Sequence, residues 1–143
     1  MVKNLKTLIV LLKAQANIEQ HIKTSLGSTS LSVNEFTALE ALYNKGSLSA
    51  QELTGLVLIP NSSMTYVLDN LEKKGLINRQ RDEADRRVYR SSLTEEGQRA
   101  FPEIYATHYE HMRTVFDVLT PEEEVQLQEL LKKLGKHAEE TLA

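Results

Sequence analysis

Apolar residues recur along this chain with two different periods, and the switch between them divides it into elements. Leu5, Leu8, Ile9 and Leu12 fall three and four residues apart and predict a first amphipathic helix over residues 3–26, ended by Gly27 and a Ser/Thr loop. Ser32 with Glu35 and Ser49 with Glu52 form Ser-x-x-Glu capping boxes, in which the hydroxyl accepts from an orphan amide while the carboxylate reaches back. The first box opens a helix with Phe36, Leu39, Leu42 and Tyr43 on its buried side, stopped near Gly46. A shorter helix with Leu53, Leu56 and Val57 follows the second box and must finish before Pro60. Met64, Val67, Leu68 and Leu71 then mark a fourth helix over 61–74, with Asn61 or Ser62 as its cap and Gly75 at its end.

The period changes to two at residues 76–81 and 88–94, with "DEADRR" between, which predicts a β-hairpin with a charged tip. Thr94 caps a long helix whose stripe is Phe101, Tyr105, His108, Met112, Val115 and Leu119. Thr120, Pro121 and Glu123 start the last helix, with Leu127, Leu130, Leu131, Leu134 and Ala138 on its apolar face. The reading is a mainly α chain of six helices and one small hairpin in the order ααααββαα, with no linker dividing residues 1–143.

A short helix, a helix with a small polar outer face and then a hairpin is the order of a winged helix-turn-helix, here spanning residues 31–97. On the fourth helix the outward residues are Ser62, Ser63, Thr65, Tyr66, Asp69, Asn70 and Lys73. Hydroxyl donors there can approach phosphates or base edges, Asn70 has the geometry to pair with adenine, and Tyr66 can reach a phosphate or a thymine methyl. Net charge bears on this only when it is localised. The chain carries a formal −3, yet residues 71–90 hold seven basic groups against four acidic ones. Arg86 and Arg87 at the hairpin tip suit a polyanion, and the competing reading is a solvated ion-pair cluster with Asp82, Glu83 and Asp85.

The segment "LEKKGLINRQRDEADRRVYRSSLTEEG" resembles the MarR family of bacterial transcription regulators, whose wing carries Asp-x-Arg, a strand, and a Leu-Thr-x-x-Gly helix start. Those positions are Asp85, Arg87, Leu93, Thr94 and Gly97 here. The resemblance implies double-stranded DNA as partner and an obligate homodimer held by residues 1–26 and 98–143, with paired recognition helices in successive major grooves. It also implies that Arg87 enters the minor groove while Asp85 braces the tip. Many relatives have an arginine in the middle of the recognition helix, where this chain has Tyr66 and Asn70, so base preference there departs from the pattern. "SSMTYVLDNLEKKGL" is similar to regulators that answer quinones and phenolic compounds, which implies a repressor released by a small aromatic effector. A cavity for it would draw on His21, Phe36, Tyr43 and Tyr109. Independently, the apolar stripes on the last two helices exceed what a domain of this size can cover, which points to a dimer and a near-palindromic operator.

Other chemistry is thinly represented. With no cysteine the chain has no disulfide or thiolate site, which is consistent with the cytoplasm. The N-terminal apolar run, broken by Lys6 and Lys13, is too short for a membrane span and lacks a leader cleavage site. There is no glycine-rich phosphate loop and no nucleophile beside a base, so an enzyme is not expected, and no cofactor is expected either. His108 and His111, three residues apart, could join His21 or Glu110 at a metal, making a metal-responsive regulator the runner-up beside a winged helix that binds only protein.

Overall fold

The computed structural model describes residues 2–142, with the side chain of Asn61 outside the described set. Its elements are α1 (Lys6–Ser25), α2 (Val33–Lys45), β1 (Leu48–Ser49), α3 (Ala50–Leu56), α4 (Asn61–Lys73), β2 (Ile77–Arg81), β3 (Tyr89–Leu93), α5 (Glu95–Phe116) and α6 (Pro121–Glu140). All three capping boxes form: Ser32 with Glu35, Ser49 with Glu52 and Thr120 with Glu123 each exchange both hydrogen bonds. Thr94 caps α5 through the Gly97 amide, as its position before the two glutamates implied.

The expected order of six helices and a hairpin is present, with one addition. Residues 48 and 49 form a short strand, so the hairpin is part of a three-stranded antiparallel sheet of order β1-β3-β2. Leu48 pairs with Ser91 and Ser49 with Arg90. Two residues are too short for a period to be legible, and the pairing exists only because β3 lies alongside.

Smaller differences have local causes. α1 begins at Lys6, and Leu5 is its first flanking residue with no capping side chain. Ser62 does not cap α4, because Pro60 occupies that position and its fixed φ of −57° leads the chain into the first turn; the alternative cap, the Asn61 side chain, lies outside the described residues. Tyr43 sits at the rim of the α2 stripe with 39% of its surface exposed, and Leu56 at the end of the two-turn α3 is also exposed.

The core lies between α2, α4 and the start of α5. Phe36, Leu39 and Leu42 meet Leu53, Met64, Val67, Leu68, Leu71, Ile77 and Phe101, all buried. At roughly 1.5–3 kcal/mol for each fully buried large apolar side chain, the α4 stripe is a main anchor of the lobe. In contrast, α6 has no buried residue and α1 has only Ser25.

The junction of wing and α5 is made by backbone contact. The Thr94 amide donates to the Leu76 carbonyl at 3.0 Å, and the Thr94 hydroxyl donates to the Gly75 carbonyl at 2.7 Å. Gly75 turns the chain there with φ of +76°. Gly97 is pressed so close that a Cβ would stand 2.3 Å from the Leu76 carbonyl oxygen. Gly97→Ala is therefore expected to cost about 2 kcal/mol, the scale of forced overpacking. Urea denaturation measures this, and an unchanged midpoint would mean that α5 and the wing do not meet this closely in solution.

Candidate nucleic-acid interface

The outer face of α4 carries Ser62, Thr65, Tyr66 and Lys73, all exposed, with Ser63 half-buried at its side. Tyr66 projects furthest, with 70% of its surface in solvent. Short hydroxyls around one phenol leave the helix free of long charged side chains at its leading end.

Asn70 departs from the expected reading role. Its amide donates to Glu35 Oε2 at 3.3 Å, placing the side chain at the edge of the face and against α2. The same carboxylate accepts from Lys74 Nζ at 2.5 Å and from the Ser32 amide at 3.2 Å, and Lys74 also reaches the Ser30 carbonyl at 2.6 Å. Glu35, Asn70 and Lys74 thus pin the C-terminal end of α4 onto the start of α2. Sequence reasoning found Glu35 only as a capping residue; its second function depends on α4 lying across that cap.

The arginines of the hairpin divide into two groups. Arg79 reaches back from β2 to Asp69 at 2.6 Å and Glu72 at 2.7 Å, both on α4, and the two carboxylates hold its guanidinium more firmly protonated than usual. Arg90 binds the Ser47 hydroxyl at 3.1 Å and carbonyl at 2.8 Å, and pairs with Glu52 at 3.0 Å. These two tie the wing to α4 and to the start of α3. Neither was singled out from the sequence, although Asp69 and Glu72, one turn apart on a polar helix face, were a signal for a cation between them.

The second group faces outward. Arg87 points into solvent, its side chain 89% exposed, and is held by Asp85 through two guanidinium hydrogen bonds of 3.1 and 3.2 Å. Hydrogen bonds from Arg87 hold the Asp85 carboxyl below its usual range, and Asp85 in turn raises Arg87. Asp82 shapes the tip by accepting from the Ala84 and Asp85 amides at 3.1 and 2.9 Å. Asp85 braces Arg87 and has no side-chain bond to Arg86, which is exposed. Arg81 donates to the Arg86 carbonyl at 3.2 Å and lies over the Tyr89 ring at 5.3 Å, backing the tip.

The residues considered for an effector form a stack of rings. Phe36 lies 5.7 Å from Phe101 and 4.6 Å from His108, while Tyr43 meets Phe101 at 4.9 Å. Tyr105 continues the row to Tyr109 at 6.2 Å. His21 stands apart from it, against His111 at 3.0 Å. His108 and His111 do not converge: His108 turns to Ser25 at 2.8 Å, and among the described residues no three His, Cys, Asp or Glu side chains group as metal ligands. No helix of the described residues is long and apolar enough to cross a membrane.

A helix-turn-helix with an uncovered small-polar helix, flanked by a wing of braced arginines, defines the class as a winged helix-turn-helix transcription regulator. The MarR family profile matches residues 31–89. The HTH-type transcriptional regulator MhqR of Bacillus subtilis (strain 168) is 35% identical over 138 residues, covering 96% of this chain and 95% of that protein. The chain belongs to the MarR family. In fold it is similar to AbsC, a MarR family regulator from Streptomyces coelicolor, with a TM-score of 0.85 and 20% identity over 99% of this chain and all (100%) of that one. NadR, solved in complex with 4-hydroxyphenylacetate, is 27% identical with a TM-score of 0.76, over 95% of this chain and 96% of that one. MhqR and AbsC are both transcriptional regulators.

Removing Arg79 should loosen the wing from α4. Arg79→Ala is expected to cost about 1 kcal/mol, because its partners are partly solvated, and to speed amide exchange in β2 and β3. Hydrogen exchange of Gln80 and Arg90 reads this directly; unaltered protection there would show that backbone pairing alone holds the hairpin.

Proposed function

We propose that this chain is a homodimeric repressor that grips a near-palindromic DNA operator through α4 and the wing, and lets go when a small phenolic or aromatic acid binds. The observation that carries the DNA reading is the pairing of a hydroxyl-rich, uncovered helix face with Arg87, which is exposed yet held in one orientation by Asp85. Ser62, Ser63 and Thr65 supply donors for phosphates and base edges, Tyr66 a phenol for phosphate or thymine methyl, and Lys73 a charge for the backbone. Arg86 and Arg87 supply the wing contact, Arg87 in the minor groove. Asn70 and Asp85 position the readers, since each already serves a protein partner.

The dimer reading rests on α1 and α6. Val10, Leu11, Leu130, Leu131 and Leu134 line a groove of about 500 Å³ between them, and Leu8, Ile9, Leu12 and Val125 are exposed on the same two helices. An apolar surface of that extent on two helices of 20 residues each calls for a second copy to cover it. Two-fold symmetry then sets the two α4 helices about 34 Å apart, one turn of duplex. The effector reading rests on the similarity to NadR and on the ring stack of Phe36, Tyr43 and Tyr109, whose solvent end an aromatic acid can extend. Such a ligand acts only if it binds the released arrangement better than the DNA-bound one.

Fluorescence anisotropy with DNA from upstream of the coding region tests the first half. Arg87→Ala should weaken binding by about tenfold and reduce the slope against salt by about one unit for each phosphate no longer neutralised. An affinity and salt slope equal to wild type would remove the wing from the interface. For the second half, 4-hydroxyphenylacetate should bind the free protein more tightly than the DNA complex, by the same factor as it weakens DNA binding. Equal affinity for both forms would eliminate this mode of release.

A further inference from the structure

Two side-chain hydrogen bonds tie α1 to α5, and each ends on a histidine. His21 Nδ1 lies 3.0 Å from His111 Nε2, with the rings 5.2 Å apart and tilted by 40°. One turn further along α1, Ser25 Oγ lies 2.8 Å from His108 Nδ1 and donates its own proton to the Ile22 carbonyl at 2.6 Å. A hydroxyl has a single proton, so Ser25 accepts and His108 Nδ1 carries the hydrogen. Protonating His108 at its other nitrogen would leave that bond in place.

The His21–His111 contact is different in kind. Two imidazole nitrogens at 3.0 Å share one proton: one ring donates and the other must offer a lone pair. A neutral pair or a singly charged pair keeps the bond. A doubly protonated pair sets N–H against N–H and brings two like charges into contact. His21 is exposed and His111 half-buried, so solvent screens part of that repulsion. The groups facing the cluster are Ser25 from α1, Phe36 from α2 at 4.6 Å from the His108 ring, and Tyr105 from α5 at 6.1 Å. Of the charged residues within two positions of the pair, Glu19, Lys23 and Glu110 are exposed and Arg113 is engaged by Asp117 and Glu124, and none makes a hydrogen bond or ion pair with the three histidines among the described residues.

We propose that the His21–His111 pair is a proton sensor: uptake of a second proton by the pair parts α1 from α5 and lowers the affinity for DNA. The last clause rests on the DNA-binding reading above. The mechanical route is short, because α5 starts at the base of the wing through the Thr94–Leu76 and Thr94–Gly75 bonds, while α1 carries half of the apolar groove it shares with α6. A change in the α1–α5 contact therefore moves the wing relative to the dimerising helices. His108 adds a cost to the folded chain at low pH without breaking its own bond to Ser25, since burial and the neighbouring His111 hold it below the ordinary imidazole range. The sign follows from linkage. A histidine depressed in the folded chain contributes stability that is full above its unfolded value of about 6.5 and is lost as pH falls through and below it.

The test measures DNA affinity of the full chain and its His111→Gln variant from pH 8 to pH 5.5, with a thermal melt at each pH. Glutamine keeps a donor and an acceptor but takes up no proton. Acidification adds positive charge, which by itself tightens DNA binding, so a fall in affinity is a distinctive result. The wild type should lose at least tenfold in affinity between pH 7.5 and 5.5 while still folded, and His111→Gln less than threefold. Affinity that holds or rises in the wild type, parallel profiles for the two proteins, or unfolding of both at pH 5.5 overturns the proposal. NMR titration of the histidine ring protons separates the sensor from the DNA reading. If no DNA is bound at pH 7.5, the DNA reading has failed, and the sensor itself still requires the contact between the His21 and His111 rings to be lost on acidification of the folded chain. A ring contact that persists to pH 5.5 would refute it.

Discussion

The arrangement of the DNA-binding lobe depends on one buried carboxylate. Glu35 is 5% exposed and accepts from the Ser32 amide, the Asn70 amide group and the Lys74 ammonium. A buried charge is tolerated only when it is paired and fully hydrogen-bonded, and its three donors come from the cap of α2 and from the C-terminal end of α4. Rotation or sliding of α4 on α2 would strand that charge. The apolar stripe of Met64, Val67, Leu68 and Leu71 supplies the attraction between the helices, and Glu35 selects one register among those the stripe permits. Everything after Lys74, from the positive-φ turn at Gly75 to the wing, starts from that register.

Downstream, the arginines express a division of labour that their charge alone does not reveal. Arg79 and Arg90 are committed to Asp69, Glu72, Glu52 and Ser47, and so fasten both strands of the hairpin to the helices behind it. Arg81, Arg86 and Arg87 are left at the tip. The acidic residues in "DEADRR" shape the turn through Asp82 and orient Arg87 through Asp85. Ion pairs this exposed add little stability, and their value lies in ordering a long side chain in advance of a partner.

At the opposite end, apolar surface stays uncovered in the single chain. α6 buries no residue, and the leucines it shares with α1 remain open. Between that surface and the wing stands the α1–α5 contact, polar at His21, Ser25, His108 and His111 where the neighbouring packing is apolar. A polar, titratable seam between two rigid parts suits adjustment better than a hydrophobic one, because one proton changes its energy while an apolar contact has no such control.

Much of this was legible along the chain. The capping boxes, the stripe of α4, the hairpin and the Thr94 helix start are local devices, set by residues within one or two turns of each other, and each formed where its spacing placed it. The wing motif also carried Asp85 beside Arg87 and Gly97 after Thr94. What remained hidden was decided between elements distant in sequence. β1 exists because β3 lies beside it; Asn70 turns inward because Glu35 is there to accept; Arg79 and Arg90 are fasteners because carboxylates on α4 and α3 stand opposite; and His21 meets His111 across 90 residues of chain. The sequence by itself determined the elements and their class, since periodicity and caps are short-range. The partner of each polar side chain was settled only by the tertiary structure, because a hydrogen bond requires a specific atom within about 3 Å, and only the packed core brings those atoms together.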